Sequence, residues 1–323
     1  MPSSLVASVF LGLVGQTAAL QLGARAASVH AHRAVSPVLQ QDVAAASALK
    51  GVVAPTGNTE VSSLLQANAA LVTQLKAMAP DMTEMSLLRF AIGFPDASEA
   101  KAALKETLVW RAGAGKATVD AAAEAVGKAM AGGAWDNEPV RLAAPHAAAI
   151  NPFITPKNII SLSTEQGDLV YVIRASLIED KAMMSKVTVD QLVEFLLYVK
   201  EVHSLVVNAR SERTGRLCNV IFANDITGTR KAPDPLFGKA LSASSKSYEK
   251  LYPSLAGPTM ILNLPFILQA FVGLFKPLFP KTVQARLKFE SAPYLAKLGE
   301  LTPLTTDANK RKAFLAEVDK LVK

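Results

Sequence analysis

The side chains able to do chemistry are few and dispersed. Of four histidines in the sequence, His146 lies in a proline-containing stretch and His203 beside Glu201. Neither has a second histidine at metal-ligand spacing, and both read as exposed or capping residues. Cys218 is the single cysteine, which excludes an internal disulfide, and its place in the apolar run Leu217 to Ala223 reads as a buried structural thiol. No G-x-S-x-G elbow occurs. The stretch Gly113 to Thr118 fails as a phosphate loop, with Trp110 where the first glycine belongs and Ala117 where a hydroxyl belongs. Asp225, ahead of Gly228, reads as a turn former. The expectation is no catalytic constellation, no metal, no cofactor and no enzyme.

What the sequence offers instead is apolar surface. From Pro265 to Phe279 the residues Phe266, Ile267, Leu268, Ala270, Phe271, Leu274, Phe275, Leu278 and Phe279 leave hardly a polar face. A helix of that composition is either part of a core or in contact with lipid. Asn263, Gln269, Pro265 and Pro277 argue against a bilayer span. Lys276, Lys281, Arg286 and Lys288 follow. They suit lipid phosphates or an anionic membrane surface, or else form a solvated basic face.

Elements that position these residues follow from periodicity. Leu64, Leu65, Leu71, Val72 and Leu75 mark a helix over 61–78 that Pro80 closes. A second starts near Thr83 and runs to Gly93; a third starts at Asp96 or Ser98 and carries Ala102, Leu104, Leu108 and Trp110. One further helix is predicted over 119–130, inside an Ala/Gly-rich stretch otherwise read as a variable connector. Beyond Gly167 the chain changes character. Leu169 to Ile173 and Leu217 to Ala223 read as strands buried on both faces, with a helix over 189–207 between them and a third strand over 260–264. Alternation of this kind predicts an α/β fold with a largely parallel sheet. The tail over 307–323 reads as an amphipathic charged helix. At 323 residues, with 50% hydrophobic residues and a net charge of +7, the chain is long enough for a large core. With 6% aromatics and scattered basic residues it shows no nucleic-acid-reading pattern.

Three segments in order resemble the CRAL-TRIO family of lipid-binding proteins. Leu87, Leu88, Arg89 and Phe90, leading to Trp110 and Arg111, resemble its amino-terminal signature. Leu217 to Asn224, closing on Asp225 and Gly228, resembles its D-x-x-G strand. Tyr252, Pro253, Gly257, Ile261, Asn263, Pro265, Phe266, Phe275, Lys276 and Pro277 resemble its most specific segment. The resemblance implies a helical amino-terminal lobe, a mainly parallel sheet floor and a pocket closed by a gating helix over Pro265 to Phe279. Phe222, Ile261 and the gate's apolar residues would line that pocket, and Lys276, Lys281 and Arg286 would meet a headgroup or membrane phosphate. The implied function is to bind a hydrophobic lipid-like ligand and transfer or present it between membranes. The alternative is a lipid-sensing or ligand-free protein-interaction module.

Ser254 stands where phosphatidylinositol-binding members carry Glu, and Thr282 is displaced by one residue, which favours a less polar ligand. Leu5 to Leu22 followed by an acid-free stretch through Arg25 and Arg33 resembles a signal-plus-transit presequence. That predicts a plastid protein, with mitochondrion, the secretory pathway or a retained anchor as alternatives. The domains expected are a presequence over 1–41, the helical lobe over 42–125, a connector over 126–157, the lipid-binding domain over 158–300 and a last helix over 301–323. A monomer that touches membranes transiently is expected.

Overall fold

The computed structural model describes residues 59–132, 136–155, 157–163, 167–225, 233–262, 287–290 and 302–303. The presequence, the gate stretch Pro265 to Phe279 with Lys276, Lys281 and Arg286, and residues 304–323 of the expected last helix lie outside the described residues, whereas Thr302–Pro303, at the start of that expected helix, are strand instead.

The first three helices form as the spacing predicts. Helix α1 (Val61–Met78) buries Val61, Leu64, Val72 and Leu75. Helix α2 (Glu84–Gly93) starts where the Thr83 hydroxyl accepts a bond from the Ser86 amide, and α3 (Ala97–Ala112) where the Asp96 carboxylate accepts two from Ser98 and Glu99. Each cap satisfies amides that the first turn leaves unpaired. The predicted inner face of α3 needs correction, since Ala102 is exposed. The buried set is Ala100, Ala103, Leu104 and Thr107, an i, i+3, i+4, i+7 stripe. Together α1, α2 and α3 close one apolar cluster around Leu75, Leu87, Leu88 and Leu104.

Helix α4 (Lys116–Met130) begins earlier than the sequence suggested and buries Thr118, Ala122, Ala125 and Ala129. Those small side chains form the flat stripe that lets it lie close on a longer helix described next. Two short helices, α5 (Glu138–Ala143) and α6 (Ala147–Ile150), occupy the stretch read as a variable connector, anchored by buried Val140 and Ile150.

The sheet contains β1 (Ile159–Ser163), β2 (Leu169–Arg174), β3 (Val220–Asp225), β4 (Ala256–Leu262), β5 (Leu287–Glu290) and β6 (Thr302–Pro303), in the order β5-β4-β3-β2-β1-β6. Strands β2 to β5 are parallel, and β1 is antiparallel to both β2 and β6. All six residues of β2 are buried, as a parallel strand covered on both faces requires. The strand predicted from Leu217 starts only at Val220. Leu217 instead bonds to the Thr59 carbonyl at 2.6 Å and packs into the amino-terminal cluster.

Helix α7 (Asp180–Met184) precedes α8 (Val189–Thr214), which outruns its predicted end at Val207. A capping box between Thr188 and Gln191 starts α8, and Gly215 in the left-handed region, φ 68°, ends it. Helix α9 (Pro235–Leu251) was not anticipated. Asp234 caps it and Pro235 opens it, a sequence signature of a helix start that was available. Helices α8 and α9 cover one face of the sheet, where Leu169, Tyr171, Ile173, Val220 and Phe222 meet Leu197, Val207, Tyr248 and Leu251. The far side of α8 packs on α4 through Leu192, Phe195, Val202 and Val206. Because α8 is sandwiched, nearly its whole circumference is buried. The architecture is therefore a helical lobe joined to an α/β domain with a mainly parallel sheet.

Candidate functional site

The motif residues that lie far apart in sequence meet at one interface. Arg89 of α2 is 2% exposed and donates from Nε to Asn208 at 2.7 Å, from Nη1 to the Ser254 carbonyl at 2.6 Å and to Asn219 at 3.2 Å, and from Nη2 to the Cys218 carbonyl at 2.5 Å. Burial lowers its pKa to about 10, so it remains a cation held by neutral acceptors. Arg111 of α3 grips Glu201 of α8 with two bonds of 2.8 Å, and Glu201 is 2% exposed. Trp110 sits edge-on to Tyr252 with ring centroids 6.5 Å apart. A Cβ on Gly93 would stand 2.6 Å from the Cβ of Pro253, so glycine is what lets α2 reach the Tyr252–Pro253 turn. Ser254 has φ 53° and gives its carbonyl to Arg89. In this chain that position serves the lobe interface.

Beyond the interface, α8 carries polar side chains into the apolar layer over the sheet. The Lys200 ammonium sits over the rings of Phe222 and Tyr248, 4.1 and 4.7 Å from their centroids. Burial lowers its pKa to about 7. His203 lies three residues on, its ring 4.7 Å from that of Tyr171 and edge-on to it. Burial, and then the Lys200 charge, push its pKa well below the usual imidazole range, so it is neutral at physiological pH. Burial also raises the Tyr171 phenol.

His203 is buried, contrary to the exposed or capping role expected of it. It lies four residues after Val199 and three before Val206, inside the apolar stripe of α8, and that spacing was visible in the sequence. His146 does lie at the surface end of α6, where its Nε2 meets Glu194 at 2.9 Å. Cys218 is buried as expected.

Between α8, the two short helices α5 and α6, and strands β1 and β2 lies a cavity of about 110 Å³. Val140, Ile154, Tyr171, Phe195, Val202 and His203 are among its lining residues. Of the pocket residues expected from the sequence, Phe222 lies in β3, 1% exposed and edge-on to Tyr171 and Tyr248, and is not among the residues lining this cavity. Ile261 lies in β4, registered with Asn224 and Phe289, and its side chain falls outside what is described. Phe266, Ile267, Ala270, Phe271, Leu274, Phe275 and Leu278, with Lys276, Lys281 and Arg286, fall on the segment between β4 and β5 that is likewise outside the described residues. Among the described residues no group of His, Cys, Asp and Glu is arranged to hold a metal ion, and no helix is long and apolar enough to cross a membrane.

A helical lobe latched to a mostly parallel sheet, with helices and an apolar cavity on one face, defines an α/β architecture. Residues 155–304 match the CRAL/TRIO domain model, which supports membership of that family for this part of the chain. Domains of this family in general bind lipophilic small molecules. No curated protein matches the chain.

Proposed function

We propose that this protein binds a hydrophobic, lipid-like ligand above the helix-covered face of its sheet and carries it between membranes. The observation that carries this reading is the coincidence of the CRAL/TRIO match with a buried apolar sheet face that retains a cavity against α8. Residues 263–286 follow β4 and precede β5 in the chain. With Phe266, Phe271, Leu274, Phe275 and Leu278 they have the composition of a gate, and Lys276, Lys281 and Arg286 that of a contact with lipid phosphates. Nothing in the chemistry of the described side chains asks for a catalytic role, and the ligand itself takes the place of a cofactor.

The cavity of about 110 Å³ is smaller than pockets of roughly 300–1,000 Å³ that enclose whole ligands. Loading a whole ligand therefore requires space to open beside it. The same small volume favours a second reading, in which the domain senses lipid or binds a protein with its pocket empty. Vesicle-to-vesicle transfer of a pyrene-labelled phosphatidylcholine separates the two. The carrier reading expects protein-dependent transfer that Phe271→Asp slows on the order of tenfold, because a charge on the gate opposes its contact with lipid. A chain that neither extracts nor transfers lipid would support the interaction module.

A further inference from the structure

Thr155, Ser161, Tyr171 and Tyr198 are the hydroxyl-bearing residues among those that line the cavity. Two of these hydroxyls are engaged. That of Tyr198 donates to the Val140 carbonyl at 2.9 Å, and that of Thr155 accepts from the Lys157 amide at 3.2 Å. The Ser161 and Tyr171 hydroxyls make no hydrogen bond to a described residue, and neither oxygen is sealed within the protein as His203 Nδ1 is. Ser161 of β1 and Tyr171 of β2 stand directly opposite each other in the antiparallel ladder, so their side chains share one face of the sheet. That face looks toward α8, where the Tyr171 ring meets His203. Tyr171 is 7% exposed, and the α8 wall beside it is apolar, with Phe195, Val199 and Val202.

We propose that the Ser161 and Tyr171 hydroxyls receive the uncharged oxygen of an apolar ligand, a carbonyl or a hydroxyl, whose compact end occupies the cavity. The inference rests on the lipophilic-ligand reading above and narrows its ligand class. A carbonyl oxygen has two lone pairs and accepts from both hydroxyls, whereas an alcohol donates to one and accepts from the other. A water would meet the hydroxyls but leave the α8 wall without dispersion partners; an apolar body bearing one oxygen meets both. An anion suits the position poorly. Burial, with no cation to offset it, raises the Tyr171 phenol, so the enclosure at that point opposes negative charge. Arg141, the cation on the cavity wall, already pairs with Glu138 at 3.7 Å and reaches toward the Ile154 carbonyl at 3.4 Å. Volume sets the size of the buried end. A cavity of about 110 Å³ approaches the roughly 150 Å³ that holds benzene in an engineered protein core, so one small ring enters and the remainder of the ligand extends outside.

Cyclohexanone and methylenecyclohexane, near-isosteres that differ by a carbonyl oxygen against a methylene, are the probes. Their affinities for the full chain, for Tyr171→Phe and for the Tyr171→Phe, Ser161→Ala pair are measured by ligand-observed NMR. The ketone-to-alkene affinity ratio is expected to fall about three- to tenfold in Tyr171→Phe, as loss of one buried hydrogen bond implies, and to fall further in the pair. Infrared spectra of cyclohexanone, isotope-labelled at the carbonyl and bound to the unmodified chain, give a second readout that needs no variant. The bound carbonyl stretch is expected below its position in hexane, as hydrogen bonding to the oxygen requires. Failure of both probes to bind, an unchanged ratio, a stretch at the hexane position, or cyclohexanecarboxylate binding more tightly than the ketone overturns the assignment. Uptake of lipid from vesicles, assayed in parallel, keeps the two claims apart: lipid uptake with no ketone preference sinks only the Ser161 and Tyr171 assignment, and ketone preference without lipid uptake sinks only the carrier reading.

Discussion

Replacing Lys200 with methionine is expected to stabilise the protein at neutral pH and to flatten its dependence on alkaline pH. The Lys200 ammonium is enclosed between α8 and the sheet, and burial lowers its pKa from 10.5 to about 7. Taken alone, a shift of that size corresponds to roughly 5 kcal/mol of opposition to the charged form. The rings of Phe222 and Tyr248 at 4.1 and 4.7 Å act the other way, each by about 0.5–2 kcal/mol. The net effect is therefore about 1–4 kcal/mol. The sign follows from proton uptake. Between the folded and unfolded pKa values the unfolded chain holds a proton that the folded chain lacks, so this group makes stability rise as pH climbs from 7 toward 10.5. Methionine fills a similar volume without the charge. Urea unfolding followed by circular dichroism, at intervals from pH 7 to 9.5, measures both chains. The stability advantage of Lys200→Met is expected to be greatest at pH 7 and to shrink by about 1–3 kcal/mol across the range. A variant less stable than the parent at pH 7, or a difference constant with pH, would refute the reasoning. Tyr171 and Tyr198, whose phenols burial pushes up, affect both chains alike.

Other substitutions probe the interface and the cavity. Arg89→Met removes four hydrogen bonds, strands buried carbonyls of Cys218 and Ser254, and should cost about 3–5 kcal/mol in urea unfolding. Arg89→Lys should recover only part of this, because an ammonium cannot reproduce the guanidinium fork. Gly93→Ala places a methyl 2.6 Å from the Pro253 Cβ and is expected to lower stability by about 1–3 kcal/mol, read as a shift in denaturation midpoint. Glu201→Gln leaves Arg111 facing a neutral amide and should cost about 1–3 kcal/mol, with a smaller loss in the Arg111→Met, Glu201→Gln pair than the sum of the single changes. Because the folded-state pKa of His203 is depressed, its contribution to stability is present above pH 6.5 and lost as pH falls below it. His203→Phe should remove that acid slope in thermal unfolding between pH 5 and 7.

Much of this was legible in the chain. The i, i+3, i+4 spacing of α1, the Thr83 and Asp96 caps and the unbroken apolar run of β2 each have one physical solution, and the structure adopts it. The motif residues were visible as types at intervals, but not that Arg89, Arg111 and Tyr252 close one interface. That depends on long-range packing, because their partners Asn208, Glu201 and Trp110 lie on other elements. Helix α8 was cut short at Val207 because Asn208, Arg210 and Ser211 look like a helix end when solvent is assumed around them; tertiary partners for Asn208 and a hydroxyl bond from Ser211 to the Val207 carbonyl at 2.7 Å keep the helix going. Lys200 and His203 were missed for the same reason. Polar types on a helix are expected to face water, and only the sandwich of α8 between α4 and the sheet turns them inward. The Ala-rich connector hid α5 and α6, whose few apolar anchors, Val140 and Ile150, mean little until the wall of the cavity is seen.

The most direct test of the central claim is detergent-free purification of the full chain, followed by native and then denaturing mass spectrometry of its organic extract. A hydrophobic, lipid-like molecule present at about one per chain is the expected result. A chain that purifies empty and takes up nothing from vesicles containing mixed lipids and pigments would contradict the account and leave the domain an interaction module.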